Sequence, residues 1–167
     1  MLLSIFTAID AFSHALDRHI TRLVGVIILC MFASLFLQVC CRYFFNAPLS
    51  WPEEITMFLM AWMSFLGASV ALRRWSHIGV DLFIKLLDGK KRILLFLCVR
   101  LIVLFFSIFL LVEGTSYAMG SMDMLSDGIR ISMLYPRLSM PVGGLFMLIH
   151  SVAMVLGDIC ALMEMER

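Results

Sequence analysis

Charge is scarce in this sequence, with 15% of 167 residues being Asp, Glu, Lys or Arg, against about a quarter in ordinary soluble domains. The formal net charge is only +1, so no excess of either sign points to nucleic acid as a partner. Low-complexity tracts and internal repeats are missing, which leaves a single domain over residues 1–167. The five cysteines (Cys30, Cys40, Cys41, Cys98 and Cys160) all lie in apolar runs and form no CxxC pair or Cys/His cluster. Their placement excludes a zinc-ribbon pattern and reads as free, buried, small hydrophobes. Among four histidines only His150 sits deep in an apolar run. Bis-histidine haem ligation needs two such residues on facing helices, so a haem or quinone subunit is the weaker rival and no cofactor or metal is expected. No basic stretch precedes the first apolar run and no small-residue cleavage site follows Leu37. That run is expected to stay as an anchor rather than be removed as a signal peptide.

What the chain has in abundance is hydrocarbon. Hydrophobic residues make up 62% and the mean hydropathy is +1.01, values that belong to an integral membrane protein. About 20 apolar residues cross a bilayer as a helix, because lipid satisfies no backbone hydrogen bonds. Four runs qualify, at about 20–45, 52–72, 93–112 and 141–163, and the third keeps its apolar character to about Leu125. The expected fold is therefore an all-α four-helix membrane domain. Arg73, Arg74, Lys85, Lys90, Lys91 and Arg92 crowd the second connection, whereas the first has no Lys or Arg and the third only Arg130 and Arg137. Basic loops stay inside, so both termini are expected on the cytoplasmic face. Within 78–88 the polar residues Asp81, Lys85 and Asp88 recur at helical spacing among apolar neighbours. This predicts a short amphipathic helix in the inner interface, stopped by Gly89, with Lys90, Lys91 and Arg92 at phospholipid headgroups.

Two carboxylates at the mouth of the second span need a reason. Ser50-Trp51-Pro52-Glu53 matches a capping box: Ser50 at the N-cap, Pro52 where no amide donor is required, and Glu53 reaching back to the Ser50 amide. Glu54 is free for another task, and Arg42 ends the first span at the same depth across a short hairpin. An Arg42–Glu54 ion pair would fix that hairpin. Paired acid–base chemistry is disfavoured, because helix neighbours point about 100° apart. Arg100 and Asp158 each lie in a span at similar depth from the inner surface, and intramembrane charges call for partners, so the two are expected to be close; the alternative is that Arg100 snorkels alone. His150 is expected to be buried, neutral and hydrogen-bonded. His77, after Arg73, Arg74 and Trp75, is expected to orient the turn into the interfacial helix. Met57, Met60 and Met63 read as packing or lipid-facing residues.

The stretch Arg42–Phe83, RYFFNAPLSWPEEITMFLMAWMSFLGASVALRRWSHIGVDLF, resembles the small membrane subunit of tripartite ATP-independent periplasmic (TRAP) transporters, the DctQ-like family. Arg42-Tyr43, Asn46, Leu49, Trp51, Glu53-Glu54, Trp62, Phe65 to Ala68, Arg73, His77-Ile78 and Val80-Asp81 carry the likeness. Met57 departs from it, since many members have a basic residue there. The resemblance implies a non-catalytic scaffold in the bacterial inner membrane. Its partners would be a large multi-span subunit that carries the sodium and substrate sites, and a periplasmic protein that captures an organic acid such as a sialic acid or C4-dicarboxylate. Gln38, Arg42, Trp62, Gly67, Ala68 and Ala71 are the candidate contacts with the large subunit, the last three as a small-residue surface. An autonomous four-span exporter is the remaining rival, but it needs a deep acid for coupling and only Asp158 is moderately immersed.

Overall fold

The computed structural model describes residues 2–47, 49–74 and 90–165, with side chains over 7–47, 49–74 and 93–163. The described elements are all helices: α1 Leu2–Phe44, α2 Trp51–Arg73, α3 Lys90–Met119, the single turn α4 Leu134–Arg137, and α5 Ser139–Met165. Four stretches are long and apolar enough to span a membrane. The expected interfacial helix, with Trp75, His77, Asp81 and Lys85, lies outside the described residues, as do the side chains of Lys90, Lys91 and Arg92 in the first turn of α3.

Helix boundaries follow local chemistry. Asn46 adopts a left-handed conformation with φ 49, and the Ala47 amide bonds the Cys41 carbonyl at 3.2 Å. The left-handed residue turns the chain so that this amide meets a carbonyl of the last helical turn, and α1 ends at Phe44. At the other end α1 begins at Leu2, so the first helix is far longer than the apolar run at 20–45. Its 43 residues span about 65 Å, twice the hydrocarbon thickness. α3 stops at Met119 and does not continue to Leu125, because tight turns take over at Gly120 and Ser121. α5 starts at Ser139, two residues before Pro141, since a proline in the first turn forfeits no intrahelical bond.

The capping box does not form. Ser50 is the N-cap of α2, but it has helical dihedrals (φ −90, ψ −29) and its side chain makes no cap bond. Capping by serine needs an extended N-cap residue to aim Oγ at the N3 amide. Pro52 takes its place in the first turn and is buried, while Glu53 is exposed.

α5 is the hub, in contact with α1, α2 and α3. Glycines let it come close. A Cβ on Gly143 would stand 2.6 Å from Phe65 Cβ in α2, and one on Gly144 3.0 Å from Leu110 Cβ in α3. Across the bundle, Gly114 of α3 meets Met140 and Pro141 of α5. Two apolar clusters fill the seams. Ile20, Ile27 and Leu66 join α1 to α2, with Trp62 and Phe146 against them. Leu72, Leu110, Met147 and Met154 join α2, α3 and α5. The helix backs carry exposed apolar side chains such as Phe32, Phe36, Ile102 and Phe105, the arrangement expected when the solvent is lipid. The cysteines are free but not buried, and Cys30 and Cys98 are exposed. They ride those outward faces, so their apolar surroundings in sequence are lipid-facing positions.

Candidate functional site

Polar side chains gather in three places along the bundle. At the end where α2 begins, the chain between α3 and α4 folds back as a small hairpin. Leu125 and Ser132 form an antiparallel bridge, the Ser126 amide donates to the Ile131 carbonyl at 2.8 Å, and Arg130 takes a left-handed φ of 57. Glu54 reaches into this turn. Its Oε2 accepts the Ile129 amide at 2.7 Å, and the Ser126 hydroxyl and the Asp127 and Gly128 amides lie around the carboxylate. An anion ringed by successive amides occupies a backbone nest. The expected ion pair with Arg42 is therefore absent among the described residues: Glu54 spends its lone pairs on the α3–α4 turn, and Arg42 points out exposed from the last turn of α1. The α1–α2 hairpin is tied instead by Gln38, whose Nε2 donates to the Leu49 carbonyl at 3.4 Å. A Cβ on Gly128 would lie 2.6 Å from Glu54 Oε2. Gly128→Ala should therefore expel the carboxylate, and hydrogen exchange at the Ile129 amide should rise at least tenfold. Unchanged protection would show that the carboxylate does not hold the turn.

At the opposite end, the early turns of α1 dock on α2 and α5. Asp10 accepts from Arg73 at 2.6 Å, with the arginine side chain only 9% exposed. Arg74 donates to Thr21 at 2.7 Å and Asp17 at 3.4 Å. Ser13 Oγ and His150 Nδ1 are 2.7 Å apart with both residues fully buried. Arg73 and Arg74, expected at the lipid interface, are thus drawn onto α1 by its carboxylates. The sequence reading missed Asp10, Ser13, Asp17 and Thr21. Their spacing of three and four residues marks one helix face, and Arg73-Arg74 supplied the matching charges.

Between these ends, Arg100 of α3 hydrogen-bonds Asp158 of α5 and donates to the Met154 carbonyl at 2.9 Å. Its guanidinium also lies 5.5 Å from the Phe96 ring centroid. Both side chains of the pair are mostly buried, at 18% and 13% exposure. Of the remaining residues singled out by sequence, Trp62 is turned inward, with Nε1 donating to the Tyr135 carbonyl at 3.2 Å. Ala68 and Ala71 face outward, and a Cβ on Gly67 would meet nothing within 4 Å.

Ser13 and His150 bring a hydroxyl to an imidazole, but both residues are fully buried, so the pair is closed to a substrate and ties α1 to α5. Among the described residues, no three His, Cys, Asp or Glu side chains gather to hold a metal. The described ion pairs join one helix to another or lie within α1. Residues 31–161 match the family of tripartite ATP-independent periplasmic transporters, DctQ component. The chain belongs to that family. A Vibrio cholerae C4-dicarboxylate TRAP transporter small permease protein, DctQ, is 34% identical over 113 residues, 67% of this chain and 47% of the relative. The sialic acid TRAP transporter small permease protein SiaQ of the same species is 30% identical over 122 residues, 73% of this chain and 70% of that one. The sialic acid TRAP transporter permease protein SiaT of Haemophilus influenzae is 34% identical over 89 residues, 14% of its length. This chain thus spans about half of the first of these relatives. The family match takes in Glu54, the α3–α4 turn and Arg100–Asp158 but begins after Asp10, Ser13 and Asp17. The chain is accordingly a TRAP transporter membrane subunit, and its relatives are permeases rather than enzymes.

Proposed function

We propose that this chain is the immobile, non-catalytic brace of a sodium-coupled TRAP transporter that imports an organic acid across the bacterial inner membrane, both termini being cytoplasmic. Its large partner subunit carries the sodium and cargo sites and moves against it as an elevator. A periplasmic protein delivers the cargo. The observation that carries this reading is the use of polar groups. Glu54, Asp10, Asp17, Asp158, Arg73, Arg74 and Arg100 are committed to contacts within the chain, whereas a carrier leaves charges facing a path. A structure tied at both ends and in the middle also suits a part that stays fixed while its neighbour moves.

The partner surface in this reading is the open face of α2 at Gly67, Ala68 and Ala71, where small residues allow close helix approach. The Glu54-held turn, with exposed Glu53 and Asp127 beside it, helps dock the periplasmic protein on the outer face. Sialic acids and C4-dicarboxylates are the cargo classes named for the relatives. Vesicles holding the large subunit, this chain and the periplasmic protein should accumulate such an acid under a sodium gradient. Omitting this chain should abolish uptake, and the chain alone should move nothing. Full-rate uptake without it, or uptake by it alone, would end the proposal.

A further inference from the structure

An almost wholly apolar crevice opens beside α2 near its Glu54 end, walled on the far side by α4, the first turn of α5 and Tyr117 of α3. Met57, Phe58, Ala61, Phe65, Met133 and Met140 line it, with Tyr117 and Arg137 also in its wall. From Met57 to Phe65 it follows two turns of α2, about 12 Å at 1.5 Å per residue. One leaflet's hydrocarbon is about 15 Å deep.

Arg137 is the exceptional residue of this wall. Its guanidinium carbon lies 4.4 Å from the Tyr117 ring centroid, and Nη1 hydrogen-bonds Ser121 Oγ and approaches Met124 Sδ at 3.7 Å. All three partners are neutral, and among the described residues no carboxylate lies within ion-pair distance of this arginine. Both side-chain bonds leave from Nη1, so the remaining edge of the fork is not spent on side chains. The aromatic ring and the serine fix the plane of a cation that the described residues leave uncompensated. A planar cation with donors to spare above an apolar slot of leaflet depth is complementary to a phosphate with a hydrocarbon tail.

We propose that this crevice is a phospholipid site, with the phosphodiester on Arg137 and one acyl chain along α2, against Met133 and Met140. The lipid fills a gap that no side chain of the described bundle closes, and it supplies the missing anion. Its role is independent of the cargo and of the transport reading above.

Native mass spectrometry of the full-length chain, delipidated and titrated with dioleoylphosphatidylglycerol, tests the site. Wild-type protein should retain one lipid more firmly than the rest. Arg137→Gln, which keeps a donor for Ser121, and Ala61→Phe, which fills the slot, should each weaken that adduct at least fivefold. Equal retention by both variants overturns the proposal. Weakening by Arg137→Gln alone also overturns it, since the arginine would then bind phosphate without a seated chain. Should Ala61→Phe not fold, a photoreactive residue at position 58 replaces it. In the assembled transporter, crosslinking to phospholipid supports the site, and crosslinking to the large subunit means a protein side chain occupies the crevice.

Discussion

Arg100→Leu lowers the stability of the bundle by about 3–5 kcal/mol, and Arg100→Leu with Asp158→Leu recovers most of that loss. The asymmetry comes from desolvation. Deleting one partner strands the other charge in a mostly buried site, whereas deleting both removes the charges that had to be paired. Asp158 is sharply placed for this test, because its Oδ2 already has no hydrogen-bond partner among the described residues. Without Arg100 it would lose the bond on Oδ1 as well. Exchange of the two, Arg100→Asp with Asp158→Arg, should restore assembly lost in either single variant. Thermal unfolding in detergent and recovery of folded protein read the outcome. If the double leucine variant is no more stable than the singles, the contact is incidental and Arg100 snorkels to the headgroups alone.

The second large effect sets two glycines against each other. Gly143→Leu should destabilise the isolated chain by about 1–3 kcal/mol, the ordinary cost of overpacking. Its Cβ would fall 2.6 Å from Phe65 Cβ and 3.1 Å from Phe65 backbone, and backbone atoms do not swing aside. α2 and α5 would have to part. Gly67→Leu has open space at the same distance and should leave the stability of the isolated chain within about 0.5 kcal/mol. It should nevertheless reduce co-purification of the large subunit at least fivefold, since the added side chain would stand on the proposed contact face. A destabilised Gly67→Leu, or one that retains its partner fully, would move that face elsewhere on the helix surface.

The two kinds of glycine look alike in the sequence. Gly67-x-x-x-Ala71 reads as a small-residue surface for helix approach, and so does Gly143-Gly144 on the fourth span. Only the packed bundle distinguishes them: Gly143 and Gly144 are consumed inside the chain, whereas Gly67 opens outward. The paired glutamates teach the same lesson at a turn. Ser50, Pro52 and Glu53 have capping-box spacing, but spacing carries no dihedral angle, and Ser50 is already helical. Glu54 had a basic residue within reach across a short hairpin, yet its Oε2 is satisfied by the Ile129 amide, 75 residues away. Backbone donors leave no mark in a sequence, so no reading of side-chain charge would have found them.

The length of α1 was hidden for a different reason. Hydropathy registers hydrocarbon, and residues 2–19 hold enough polar groups to fall below a span. Asp10, Asp17 and Ser13 in this stretch touch Arg73, Arg74 and His150, contacts that hydropathy does not register.

By itself the sequence determined the membrane class, the four apolar helices and the family, because hydrocarbon-length runs and the Arg42–Phe83 pattern are local properties that lipid and motif act on directly. The partners of its charges were decided only in three dimensions. Glu54 chose a backbone amide over Arg42, the two arginines closing α2 chose Asp10 and Asp17, and the crevice at Arg137 is walled by residues that α2, α3, α4 and α5 bring together. Each is a comparison between donors brought together by packing, and the free energy of that comparison is a property of the assembled helices, not of any segment.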